Sequence, residues 1–145
     1  MNSGIKVIFV IYFLVIGFIV TVEVQSVYTA REEIKKALII AVDSGIIHGT
    51  VSGDTGRGDV RLDETRVRQG VVSVLRKNLN LDETLSSDAF RKGRLEVKVT
   101  HNSNGVPRVE AVYRGTLRIG IMRLVGMDGY EIEVPKRTPY LTEYK

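Results

Sequence analysis

No cysteine occurs among the 145 residues, which excludes a disulfide framework, a thiolate zinc site and a thiol nucleophile. Histidine is nearly as scarce. His48 and His101 stand alone in or beside expected loops, without a second ligand at metal-binding spacing, and both read as surface residues. A basic run is missing too. The net charge is +4, yet residues 1–50 hold four basic and four acidic groups, 51–100 ten and eight, and 101–145 seven and five. Charges so interleaved, with no nucleic-acid module motif beside them, imply no nucleic-acid partner.

Catalytic constellations are absent as well. Gly53-Asp54-Thr55-Gly56-Arg57-Gly58-Asp59 is rich in glycine. Its spacing matches neither the P-loop nor the dinucleotide pattern, and it lacks the Lys-Ser/Thr end, so a loop is expected. Asp54, Asp59 and Asp63 do not keep the intervals of an EF-hand loop. Arg57-Gly58-Asp59 matches the integrin-binding tripeptide, which recurs by chance. Ser86-Ser87 is turn or cap chemistry, and nothing marks either serine as an activated nucleophile. The expectation is a protein that is not an enzyme, with no cofactor, no metal and no small-molecule substrate.

Charge is missing altogether from Val7 to Val22, VIFVIYFLVIGFIVTV, and here the chain declares itself. Thirteen of these sixteen residues are Val, Ile, Leu or Phe. Each contributes roughly −0.3 to −0.6 kcal/mol to insertion at a helix centre, about −6 kcal/mol together. At about 1.5 Å per residue the run covers about 24 Å, and about 27 Å if Ile5 joins it while Lys6 snorkels outward. That is short for a hydrocarbon core of about 30 Å, but sufficient for one transmembrane span. The following Glu23-Val24-Gln25-Ser26-Val27-Tyr28-Thr29-Ala30 offers no pair of small residues for signal-peptide cleavage, so an uncleaved anchor is expected. Lys6 flanks one end, and Arg31, Lys35 and Lys36 the other; the short N-terminus is placed inside and the remainder outside the cell membrane. Glu23 is the charge expected where the apolar run meets water, free to face solvent or to pair with a neighbouring chain.

Only Gly17 interrupts the helical pattern between Val7 and Asp43. Beyond the apolar run, Val27, Ala30, Ile34, Ala37, Ala41 and Gly45 recur at steps of three and four, a seam of mostly small residues that asks for a partner. A continuous helix over about 5–47 is expected, half in lipid and half amphipathic. Leu62-Asp63-Glu64-Thr65 opens a second helix with Asp63 as N-cap, carried by Val67, Val71, Val72, Leu75 and Leu79. The same tetrapeptide at Leu81–Thr84 predicts a shorter helix toward Phe90. From Gly93 the period becomes two. Leu95, Val97 and Val99, a turn at 102–105, then Val109, Ala111 and Tyr113 predict a hairpin. Gly115 is expected to separate this hairpin from a strand through Leu117, Ile119 and Ile121. A last strand through Tyr130, Ile132 and Val134 is expected to end at Pro135. The fold class is therefore α+β: residues 1–47 form a transmembrane and amphipathic helix, and 48–145 a small head. The head holds one or two short helices and an antiparallel sheet of three or four strands, with the seam covering one sheet face.

An N-terminal apolar run at 7–22, a small-residue helix with Ala30-Arg31-Glu32-Glu33 and Ala41-Val42-Asp43, a helix from Leu62 to Asn80 and a sheet from Gly93 to Val134 together resemble the pilin-like proteins. The nearest likeness is to the TadE/TadG-like pseudopilins of tight-adherence pili. The resemblance covers most of the chain in outline. It implies a membrane-anchored structural subunit of a surface filament or secretion-related assembly, packed helix to helix with copies of itself or related subunits. It also implies a candidate processing site after Gly4. Cleavage there would make Ile5 the first residue and Phe9 the fifth, where the family carries glutamate. The alternatives are an anchored extracytoplasmic binding module, whose seam its own sheet would fill, and a ring-forming subunit of a sporulation or secretion complex.

Overall fold

The computed structural model describes residues 2–51 and 60–141. Its dominant element is α1, Ser3–Gly49, a single helix of 47 residues and hence about 70 Å long at about 1.5 Å per residue. No proline breaks it. Asn2 through Val22 are exposed without exception, whereas Ala30, Ile34, Ala37, Leu38, Ala41, Val42, Gly45 and Gly49 are buried. One rod thus changes environment along its length.

Two short strands, β1 (Thr50–Val51) and β2 (Arg61–Leu62), pair antiparallel and lead into α2, Glu64–Leu79. The glycine-rich stretch 53–59 and its Arg57-Gly58-Asp59 tripeptide lie outside the described residues. The Asp63 carboxylate accepts the Arg66 amide at 3.1 Å, satisfying one of the donors that every helix start leaves open. Asn80 ends α2 in the left-handed region at φ 50, a conformation asparagine tolerates. α2 runs antiparallel to α1: Val67 packs beside Gly45 and Gly49, and Leu79 lies at the other end near Ala30. Glycine permits this approach. A Cβ on Gly70 would lie 2.9 Å from the Gly45 Cα, and one on Gly45 would lie 2.5 Å from Val71 Cγ2.

The sheet has three antiparallel strands in the order β3 (Phe90–His101), β4 (Pro107–Leu117) and β5 (Tyr130–Arg137). Central β4 alternates without a fault. Pro107, Val109, Ala111, Tyr113, Gly115 and Leu117 are buried, and the residues between them face outward. α1 crosses β4 and β5 while α2 covers β3, giving one helical layer on one sheet face. Ile34, Leu38, Val42, Val67, Val71, Leu75, Val97 and Val109 are fully buried between the layers, each contributing about 1.5–3 kcal/mol by leaving water.

Four sequence expectations fail here for identifiable reasons. Residues 81–89 form turns, not a helix. The Asp82 carboxylate accepts the amides of Thr84 (2.8 Å) and Ser86 (3.1 Å) and the Thr84 hydroxyl (2.6 Å), closing a turn over itself, and Leu85 then enters positive φ at 57. Gly115 does not separate strands. It sits inside β4 opposite Ile132, beneath the Tyr113 ring, where a Cβ would lie 3.2 Å from the phenol oxygen. Past Leu117 the chain buries Ile119 and turns into the short helix α3, Gly120–Leu124, so no fourth strand forms. Nor does Pro135 end the last strand. β5 is an edge, pairing continues to Arg137 opposite Glu110, and an edge position tolerates the missing amide hydrogen.

The tail stays with the sheet. Val109 donates its amide to the Thr138 hydroxyl at 3.0 Å and accepts the Thr138 amide through its carbonyl, also at 3.0 Å; Leu141 donates to the Pro107 carbonyl.

Candidate functional site

The amphipathic half of α1 builds the head. Ala30, Ile34, Ala37, Ala41 and Gly45 are all buried, and Val27 packs half-buried at their edge. Their partners are α2 and the inner face of β4 and β5, so the seam is filled from within the same chain. The boundary expected at 47/48 accordingly falls inside one packed unit, because Ala30–Gly49 is as much a part of the head as the sheet is. Small residues serve this packing directly: a side chain larger than hydrogen at Gly49 would run into Val67.

The apolar half is the part with no partner. Ile5 through Ile19 projects beyond the head as a bare helical surface, and the run to Val22 is long and apolar enough to cross a membrane. Gly4 lies in its first turn with open space around it. Sequence reasoning passed over Gly17 and Thr21, four residues apart on this surface. A Cβ on Gly17 would meet nothing within 4 Å, and the Thr21 hydroxyl donates to the Gly17 carbonyl at 2.8 Å. The hydroxyl is thereby satisfied without water, which suits an apolar medium, and two small side chains at this spacing leave a shallow flat on the rod. The spacing was the available signal.

Where the two halves meet, the head returns to the helix. The end of the sheet nearer the apolar run (Phe90, Leu117, Tyr130) lies level with residues 26–33 of α1, and α3 reaches one to two turns further toward that run. Between them is a cleft of about 420 Å³ lined by Val20, Val24, Val27, Ile119, Ile121 and Met122, with Tyr28, Tyr130 and Arg31 at its edges. Glu23 is half-buried in this cleft, and a Cβ on Gly120 would lie 3.3 Å from its Oε1. The carboxylate is therefore set against α3 of its own chain, with one side still open.

The outer sheet face is polar. Arg114 on β4 donates to Glu96 on β3 (2.8 Å) and to Glu133 on β5 (2.9 Å), joining all three strands. Glu133 first, then Glu96, holds the guanidinium even further above its ordinary value. Arg108 and Arg137 share Glu110 at 2.7 and 3.0 Å, and Arg108 also lies over the Tyr140 ring at 4.7 Å. These rows neutralise the face and tie the strands together.

Titrating groups elsewhere serve structure. The Tyr113 ring is fully buried and its hydroxyl donates to the Leu85 carbonyl at 3.0 Å, fastening the 81–89 turns to the sheet. Burial, then the nearby Asp82 charge, pushes this phenol up to about 12. The Thr84 side-chain hydrogen bond, followed by the Ser86 amide, holds the Asp82 carboxyl below its ordinary 3.8. His48 and His101 are both exposed, and among the described residues no three His, Cys, Asp or Glu side chains converge as a metal site would require. Comparison with known proteins adds no relative: no protein-family model matches the chain, and neither a curated protein nor a solved structure does.

Proposed function

We infer that the chain is a membrane-anchored structural subunit of pilin-like design, held by one N-terminal span with its head on the extracytoplasmic side. It acts by helix–helix packing rather than by catalysis. The observation that carries this reading is the division of α1: a continuous helix that is exposed and uncharged over residues 7–22 while its second half is the core of a folded head. In such a design the head's stability is self-contained, and the lipid-embedded half remains available for lateral contact. Gly17 and Thr21 form its flattest face, where close van der Waals approach between rods is easiest. Neighbouring rods of the same kind would make a surface filament or a secretion-related assembly.

A second reading rests on a different observation. Because α2 and the sheet already fill Ala30, Ile34, Ala37, Ala41 and Gly45, the water-side helix offers no open seam. An anchored monomeric module that binds a partner at the cell surface needs nothing more.

Oxidative crosslinking in intact membranes separates the two, and the chain has no native cysteine to interfere. Gly17→Cys and Thr21→Cys are each expected to give a disulfide-linked dimer, the most that one thiol per chain allows, while Ile19→Cys, about 200° away from Gly17 at 100° per residue, gives far less. Monomers at all three positions favour the binding module, and equal dimer yields at all three would mean unspecific collision.

A further inference from the structure

We propose that the segment from Gly120 to Gly129 is a second membrane contact, a foot on the head that enters the lipid interface beside the anchor and closes the cleft against it with acyl chains. This rests on the reading of α1 as a membrane span.

Position comes first. β4 runs toward the apolar end of α1, and α3 continues in that direction until Ile121 and Met122 share a cleft with Val20 and Val24. Val20 belongs to the uncharged run that ends at Val22, so α3 lies alongside the last turn of the span. Whatever solvates that turn also meets α3.

Composition comes second. Leu124 is 85% exposed, Val125 72% and Met127 56%. These side chains fall within four residues between Gly120 and Gly129, and no described part of the chain covers them. In water such a cluster costs free energy; at the level of Val20 it extends the apolar surface of the rod without a gap.

The border of the patch supplies the third observation. Tyr28 and Tyr130 line the cleft while remaining 65% and 43% exposed, an amphipathic placement that tyrosine also takes at headgroup depth. Arg31, Arg118 and Arg123 are exposed at the same end of the head, and none of the ion pairs among the described residues uses them. An apolar tip ringed by tyrosines and free guanidinium groups is complementary to a surface that has hydrocarbon below and phosphate above. The occupant is therefore a phospholipid bilayer containing anionic headgroups.

The test uses the full chain reconstituted into vesicles of phosphatidylcholine and phosphatidylglycerol. Single cysteines at Leu124, Val125, Tyr12 and Ser103 carry an environment-sensitive fluorophore, and nitroxide-bearing lipids act as quenchers at shallow and deep positions. Leu124 and Val125 are exposed enough that labelling leaves the fold intact, and Ser103 marks the distal hairpin turn. Blue-shifted emission at Leu124→Cys and Val125→Cys is expected, with shallow quenching several-fold stronger than at Ser103→Cys; Tyr12→Cys is quenched by the deep nitroxide. If Tyr12→Cys is quenched while Leu124→Cys and Val125→Cys behave like Ser103→Cys, the foot is overturned and the span stands. An unquenched Tyr12→Cys removes the span and the foot together. A blue shift at Leu124→Cys that grows with protein density and ignores the nitroxides would mean that a second copy covers the patch, which also overturns the proposal.

Discussion

Replacing Gly45 with alanine probes the closest approach of the two long helices. The added methyl would lie 2.5 Å from Val71 Cγ2, 2.9 Å from the Val67 carbonyl oxygen and 3.3 Å from the Val71 amide nitrogen. The carbonyl and amide are main chain inside α2 and cannot rotate away. Val71 is itself fully buried, so its methyl has little room to yield. Overpacking of this kind costs about 1–3 kcal/mol, and alanine returns about 1 kcal/mol of helix propensity over glycine. Loss should prevail by about 1–2 kcal/mol, because two of the three contacts are rigid. For a domain of this size the melting temperature falls by about 3–6 °C per kcal/mol, so a drop of about 3–12 °C is expected. Thermal unfolding in mild detergent reads it, followed by the near-ultraviolet circular dichroism of the tyrosines. Gly17→Ala, where the methyl meets nothing within 4 Å, should leave the head's transition where it is. A Gly45→Ala protein that melts at or above wild type would refute the close packing of α1 on α2.

The turn at 81–89 gives two further expectations. Tyr113→Phe removes the bond to the Leu85 carbonyl and should lower stability by about 0.5–1.5 kcal/mol near neutral pH in urea titrations. Its phenol, raised from 10 to about 12, keeps its proton in the folded state after the unfolded chain has lost it. That contribution is complete below pH 10 and disappears as pH rises toward 12. Wild type should therefore lose on the order of 2 kcal/mol more than Tyr113→Phe across this window, and parallel curves would contradict the buried phenol. On the acid side Asp82 behaves oppositely. Its lowered value means stability that is present above pH 3.8 and is lost as pH falls through the folded value. Asp82→Asn should flatten that acid limb, and an unchanged limb would count against the carboxylate as the closure of the turn.

Long-range order was legible wherever one periodicity ran unopposed. The stripe from Val27 to Gly45 placed the buried face of α1, and the expected span of 5–47 differs from the observed Ser3–Gly49 by two residues at each end. Asp63 capped α2 because the residues after it keep a helical apolar spacing. The identical tetrapeptide at 81–84 did not, since Leu85-Ser86-Ser87 breaks that spacing and the Tyr113 hydroxyl, distant in sequence, claims the Leu85 carbonyl. Local chemistry was the same in both places; tertiary contact decided between them. Leu117, Ile119 and Ile121 alternate as a strand would, yet only Leu117 finds ladder partners, at Phe90 and Tyr130. Which surface fills the seam was not written in its small residues, which permit close approach by any neighbour.

A rod that runs from a bare apolar stretch into the core of a folded body without a proline or a loop has no joint. Tilt or rotation of the apolar half is handed on to the sheet 30 Å or so away, about twenty residues at about 1.5 Å each. The Glu96–Arg114–Glu133 row on the far face turns with it. Pulling or twisting at either end is felt at the other with no slack to absorb it, so in the proposed anchor the bilayer would set the direction in which the head points.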